Sequence, residues 1–64
     1  MSGEWISVMD DLPECHKRVM VRYRNKRRHK DSETIGYYNI HKHCWCNDYG
    51  HPFKSEVIAW RRIN

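Results

Sequence analysis

Hydrophobic and polar positions alternate most cleanly between Arg18 and Arg24. Val19, Val21 and Tyr23 fall on one side, with Arg18, Met20, Arg22 and Arg24 on the other. A period of two predicts a half-buried strand. Thr34 to Ile40 is rich in β-branched and aromatic residues and predicts a second strand, able to pair back onto the first. His43 to Asn47 predicts a third, with Trp45 on one face, Cys44 and Cys46 on the other, and His43 and the nearby His41 directed away from the cysteines. Val57 to Arg61 predicts a fourth, whose alternation separates Val57 and Ala59 from Ile58 and Trp60. Between these runs, Asn25 to Glu33 is polar and charged and reads as a loop or flexible hairpin tip. Asn47 to Pro52 reads as a turn punctuated by Gly50 and Pro52.

The opening from Trp5 to Pro13 follows neither a strand nor a helix period. Ser7 is placed to cap a single helical turn that Pro13 keeps from running on. The expectation is a mainly β domain, with a small α+β arrangement as the variant. Its three- or four-stranded antiparallel meander would be covered by the segment Trp5 to Leu12, laying Trp5, Ile6 and Leu12 across the sheet. The expected core is Trp5, Val19, Val21, Tyr37, Trp45 and Trp60, with two of the tryptophans able to face opposite sides.

Length changes this picture little: 64 residues make a single domain, 1–64, with one thin core. Only 39% of the residues are hydrophobic, so the eight aromatic side chains must supply much of the burial. No run approaches the ~18 apolar residues of a membrane span. The opening Met1-Ser2-Gly3-Glu4 has no basic segment followed by an apolar stretch, so a secretory leader is not expected. Three cysteines are an odd number and read as thiols, which points to a reducing cytoplasm.

Charge changes the picture more. The formal net charge is +4, from 12 Lys and Arg against 8 Asp and Glu. Residues 17–30 hold eight of those basic groups and no acid, so the rest of the chain is net acidic. Such segregation steers partners and leaves the fold unspecified.

With the strands laid out, two blocks resemble a known family. Trp5-Ile6-Ser7-Val8, Asp10, Leu12-Pro13 and Val19-Met20-Val21 are similar to the opening WISVxDxLPxxxxxVLV of a small domain of unknown function, frequent in phage and prophage genomes. Gly36-Tyr37-Tyr38, Trp45 and Val57-Ile58-Ala59-Trp60-Arg61-Arg62-Ile63 resemble its later blocks. The likeness runs from Glu4 to Ile63. The chain departs from the pattern where Ala59 replaces a frequent His and Arg62 a usual Pro, so no role resting on that His carries over. The resemblance implies a phage or mobile-element origin and a life in the host cytoplasm. Small phage proteins of this kind often bind and redirect host proteins, defence nucleases included. The family supplies no catalytic residues.

Candidate chemistry is sparse. Cys44 and Cys46, joined by Cys15 and His51, are the thiol and imidazole set from which a zinc site would be drawn. The spacing matches no standard finger or ribbon, so the expectation is no bound metal and no cofactor, a small structural zinc domain being one alternative. Cys15 and His16 are sequence neighbours, a poor start for a nucleophile and its base. Asp10 and Asp11 beside Pro13 suit turn duties, and Gly3, Gly36 and Gly50 stand apart, so no phosphate loop is present. An enzyme is not expected. Arg18, Arg22, Arg24, Lys26, Arg27, Arg28 and Lys30 are the candidate partner-binding residues, with Arg18, Arg22 and Arg24 forming a positive stripe on one strand face. The expected partner is a host protein, bound by a monomer or small homo-oligomer away from any membrane. Direct nucleic-acid binding through residues 17–30 is the alternative.

Overall fold

The computed structural model describes residues 4–63. Met1-Ser2-Gly3, read above for a leader, lie outside the described residues. Five strands, β1 (Ile6–Ser7), β2 (Val19–Asn25), β3 (Lys30–Asn39), β4 (Cys44–Asn47) and β5 (Val57–Arg62), form one sheet in the order β1-β5-β2-β3-β4. All pairings are antiparallel. The domain is mainly β, as the alternation predicts, with five strands where three or four were expected. β2, β3 and β4 make a meander, but β5 does not extend it. It returns to the far side of β2 and becomes an inner strand, with β1 outside it.

Register sorts the side chains onto two faces. Val19 and Val21 share one face, because successive side chains point to opposite sides of a strand. Trp60 stands opposite Val21 across the β2–β5 pair. These three residues, each 0% exposed, form the core cluster, and Cys46 is buried as well. Ile6, Val8, Trp45, Phe53 and Val57 pack against it. Between Arg22 and Tyr23 the β2–β5 register shifts, so that Ala59 pairs with Arg22 and Val57 with Tyr23. This bulge places one extra residue, Ile58, between them. It brings Val57 to the face of Trp60, where unbroken alternation in the sequence had put them on opposite faces.

Of the six expected core residues, Trp5 and Tyr37 take another place. Arg22 and Arg61 lie over the Trp5 ring, 4.2 and 5.2 Å from its centroid. Tyr37 is opposite Cys46 in the β3–β4 pair, on the side of the sheet away from Val19. Both are half-buried on the open face. The tryptophans do divide between the faces, because pairing Ile6 with Trp60 turns the preceding Trp5 to the other side.

The opening segment covers less of the sheet than expected. Ile6 and Ser7 join the sheet edge, and Ser7 then holds one turn: its carbonyl accepts from the Asp10 and Asp11 N–H groups, and its Oγ from Met9 N–H. The Trp60 indole N–H donates to the Asp11 carbonyl at 2.9 Å, tying that turn to the core. Leu12 is 43% exposed and takes no part in the cover. Phe53, from the connection between β4 and β5, takes that role instead. A Cβ on Gly36 would lie 2.6 Å from the Cys46 carbonyl oxygen and 3.0 Å from Phe53 Cε2, so this position has no room for a side chain.

Candidate anion-binding hairpin

The polar run from Asn25 to Glu33 is not one long loop. β2 and β3 stay in register to Asn25 opposite Lys30, leaving only residues 26–29 in the turn. Asn25 organises this turn. Its carbonyl and its Oδ1 both accept from Arg28 N–H, at 3.2 and 3.3 Å, and its Nδ2 donates to Ser32 Oγ at 2.9 Å. Lys26 carbonyl accepts from His29 N–H, and His29 closes the turn at φ 55°, a left-handed conformation that His tolerates better than most residues. Four consecutive side chains, Lys26 to His29, are thus presented on a hydrogen-bonded turn. β4 pairs with β3 only from Gly36 to Asn39, so the β3 edge from Lys30 to Ile35 has no neighbouring strand.

The seven candidate partner-binding residues fall into two groups. Arg18 chelates Asp48, Nε to Oδ1 at 2.9 Å and Nη2 to Oδ2 at 3.2 Å. Arg22 meets Glu33, its cross-strand partner, at 3.0 Å. Arg24 meets Glu56 at 3.4 Å. The expected stripe is therefore matched, arginine by arginine, with carboxylates. Among the described residues, Lys26, Arg27, Arg28 and Lys30 have no ion pair. All four stand at the tip.

Two open grooves flank that tip. One, of about 760 Å³, runs between residues 23–28 and residues 54–56 and is faced by Lys26, Arg27, Arg28 and Lys54. The other, of about 420 Å³, is bounded by residues 24–26 and 29–31, with Lys26, His29 and Lys30 on its wall. Lys54 lies far from the basic run in sequence and is brought to the groove by the connection into β5. Nothing in the linear pattern marks it. Asn25 was equally hidden, since its role depends on where the strands end.

The metal candidates are only partly assembled. Cys44 and Cys46 share a face, as expected, with their Sγ atoms 3.8 Å apart. β4 begins at Cys44, so His41 and His43 belong to the preceding turn and not to a strand face. Cys15 Sγ lies 2.9 Å from His16 Nδ1, a contact that sequence neighbours were not expected to make. The His16 ring stacks on Tyr37, their centroids 5.3 Å apart. His51 contributes its backbone to the turn after β4: its N–H donates to Asn47 Oδ1, and its carbonyl accepts from Asn47 N–H. Among the described residues, no group of three or more His, Cys, Asp or Glu side chains is placed to hold a metal ion. Burial, and then the neighbouring Cys44, push the Cys46 thiol above its ordinary pKa, which keeps it protonated at neutral pH. Neither groove reaches the Cys15–His16 pair.

Comparison with protein-family models, with curated proteins and with solved structures finds no match for this chain. The likeness to the phage-associated family rests on its sequence blocks alone. Among the described residues, no helix is long and apolar enough to cross a membrane.

Proposed function

We propose that this chain is a non-catalytic binding module, an accessory protein of phage type that engages an anionic macromolecule of the host cytoplasm through the tip of the β2–β3 hairpin. The observation that carries this reading is the division of its cations. Three arginines along the strand and its approach are paired with carboxylates at the surface, while Lys26, Arg27, Arg28 and Lys30 are gathered at one end without ion pairs. Fixed like charges held together repel one another and gain nothing for the fold, so their concentration favours a partner that brings the opposite charge. The concave regions adjoin the same tip.

Affinity capture from host lysate tests the reading, using the wild-type chain and a variant with Lys26, Arg27, Arg28 and Lys30 replaced by Gln, before and after nuclease treatment. Wild type should retain a partner at physiological salt that the variant loses. A variant that retains every wild-type partner in the same amount would show that the tip is only a solvated surface. Survival of the partner after nuclease treatment would mark it as a protein, the class ranked first on sequence. Its loss would mark it as nucleic acid.

A further inference from the structure

We infer that the anionic partner is duplex DNA, with the β2–β3 ribbon entering the major groove tip first. This deepens the proposed function and rests on it. An acidic patch on a protein would be met from one side, and cations for that purpose would gather on one face of the sheet. Here they occupy both flanks: Arg27, Arg28 and Lys54 face one groove, Lys30 the other, and Lys26 borders both. A narrow ribbon charged on both sides complements a cleft with two negative walls.

The dimensions agree. Paired strands lie about 4.8 Å apart, and the B-form major groove, about 12 Å wide and 8.5 Å deep, admits a two-stranded ribbon. Beyond Arg24, whose N–H donates to the Glu56 carbonyl, β2 has no partner other than β3. Asn25 and the turn therefore run past the last cross-sheet pairing by two or three residues, about 7–10 Å at ~3.3 Å per residue, with Lys54 to Glu56 across a groove on one side. The unpaired edge of β3 from Lys30 to Ile35 leaves room on that side for a phosphate wall. The described tip residues 25–30 include no Phe, Tyr or Trp, the large rings that usually grip single strands by stacking on unpaired bases.

Fluorescence anisotropy with one 16-base-pair sequence, prepared as duplex DNA, duplex RNA and single-stranded DNA, tests the inference, with poly-L-glutamate as competitor. The A-form major groove of RNA is deep and narrow and excludes such a ribbon. Duplex DNA should bind at least about tenfold more tightly than duplex RNA at 0.1 M salt. About four phosphate contacts would give a log–log salt slope near −4. Replacing Lys26, Arg27, Arg28 and Lys30 with Gln should bring that slope close to zero, with the Trp60 indole NMR signal unchanged to show that the fold is intact. Equal affinity for the two duplexes, or preference for the single strand, would overturn the groove inference. Tighter binding of polyglutamate through the same four residues would overturn it too while leaving the proposed function standing, with a protein partner. Absence of binding to every polyanion would remove both.

Discussion

Val19 and Val21 at the start of β2 are wholly buried, whereas Lys26, Arg27 and Arg28, just past its end, are exposed on an unsupported turn. One short hairpin therefore runs from the buried core to an exposed turn. At the buried end each side chain is fixed by what surrounds it: Trp60 opposite Val21, Phe53 against Gly36. At the other end only the backbone is fixed, by Asn25, and the side chains are left to solvent. Substitutions at the buried end should therefore act on stability, and those at the tip on binding alone.

The largest effect belongs to Trp60. Truncation to Ala removes the central core side chain and its hydrogen bond to the Asp11 carbonyl, and a buried Trp→Ala change costs about 3–5 kcal/mol. A domain this small has little more than that in total. Trp60→Ala should abolish the cooperative thermal transition, and a melt close to wild type would break the comparison at its root.

Gly36→Ala should come next. The added methyl meets the Cys46 carbonyl oxygen at 2.6 Å, a backbone atom that cannot swing aside. Overpacking of this kind costs about 1–3 kcal/mol, so the urea midpoint should fall clearly while any binding through the tip by the folded fraction stays unchanged. An unchanged midpoint would show that the Phe53 cover yields easily.

Arg22→Gln sharpens the boundary between the two regions. It breaks the pair with Glu33 and the stacking on Trp5, both partly in water. Contacts of this kind contribute up to about 1 kcal/mol each. The melting temperature should drop by about 4–8 °C for each kcal/mol lost, less at high salt, and a loss beyond about 2 kcal/mol would mean that the open face carries structural weight. The smallest stability effect is expected from the Gln variant of Lys26, Arg27, Arg28 and Lys30. Its unfolding free energy from urea titration should lie within about 0.5 kcal/mol of wild type, although this variant should suffer the greatest loss of binding. A strongly destabilised variant would erase the distinction between the two ends.

The parts of this molecule legible in its sequence are those governed by local period. The alternation around Val19, Val21 and Tyr23 located β2, and the pairing of Cys44 with Cys46 on one face followed from the same rule. What escaped depends on register. β1 has two residues, too few for any period, and exists because β5 lies beside it. The bulge at Ile58 cannot be inferred from one strand alone. The run Lys30–Glu33 looks like loop because it is charged, yet it forms an edge strand whose polar character also discourages stray pairing. The basic run was visible, but its division was not: Arg18 finds Asp48 thirty residues away, and Arg22 finds Glu33 only once β2 and β3 are aligned.

The position of β5 between β1 and β2 has a consequence for biosynthesis. A chain emerging from the ribosome can close the β2–β3 hairpin early, since its two arms are adjacent. Trp60, the keystone of the core, and the only partner of β1 arrive together with the last strand, Val57–Arg62. Until then the apolar side of the hairpin has only partial cover from Ile6, Val8, Trp45 and Phe53, without Trp60 to complete it, and the nascent chain gains no stable sheet. Folding should thus be a single event that follows emergence of β5, limited by the long loop closure that brings β5 to β2. Stalling translation just before Val57 should leave a protease-sensitive chain, and extending the chain far enough for Arg62 to clear the exit tunnel should make it resistant in one step.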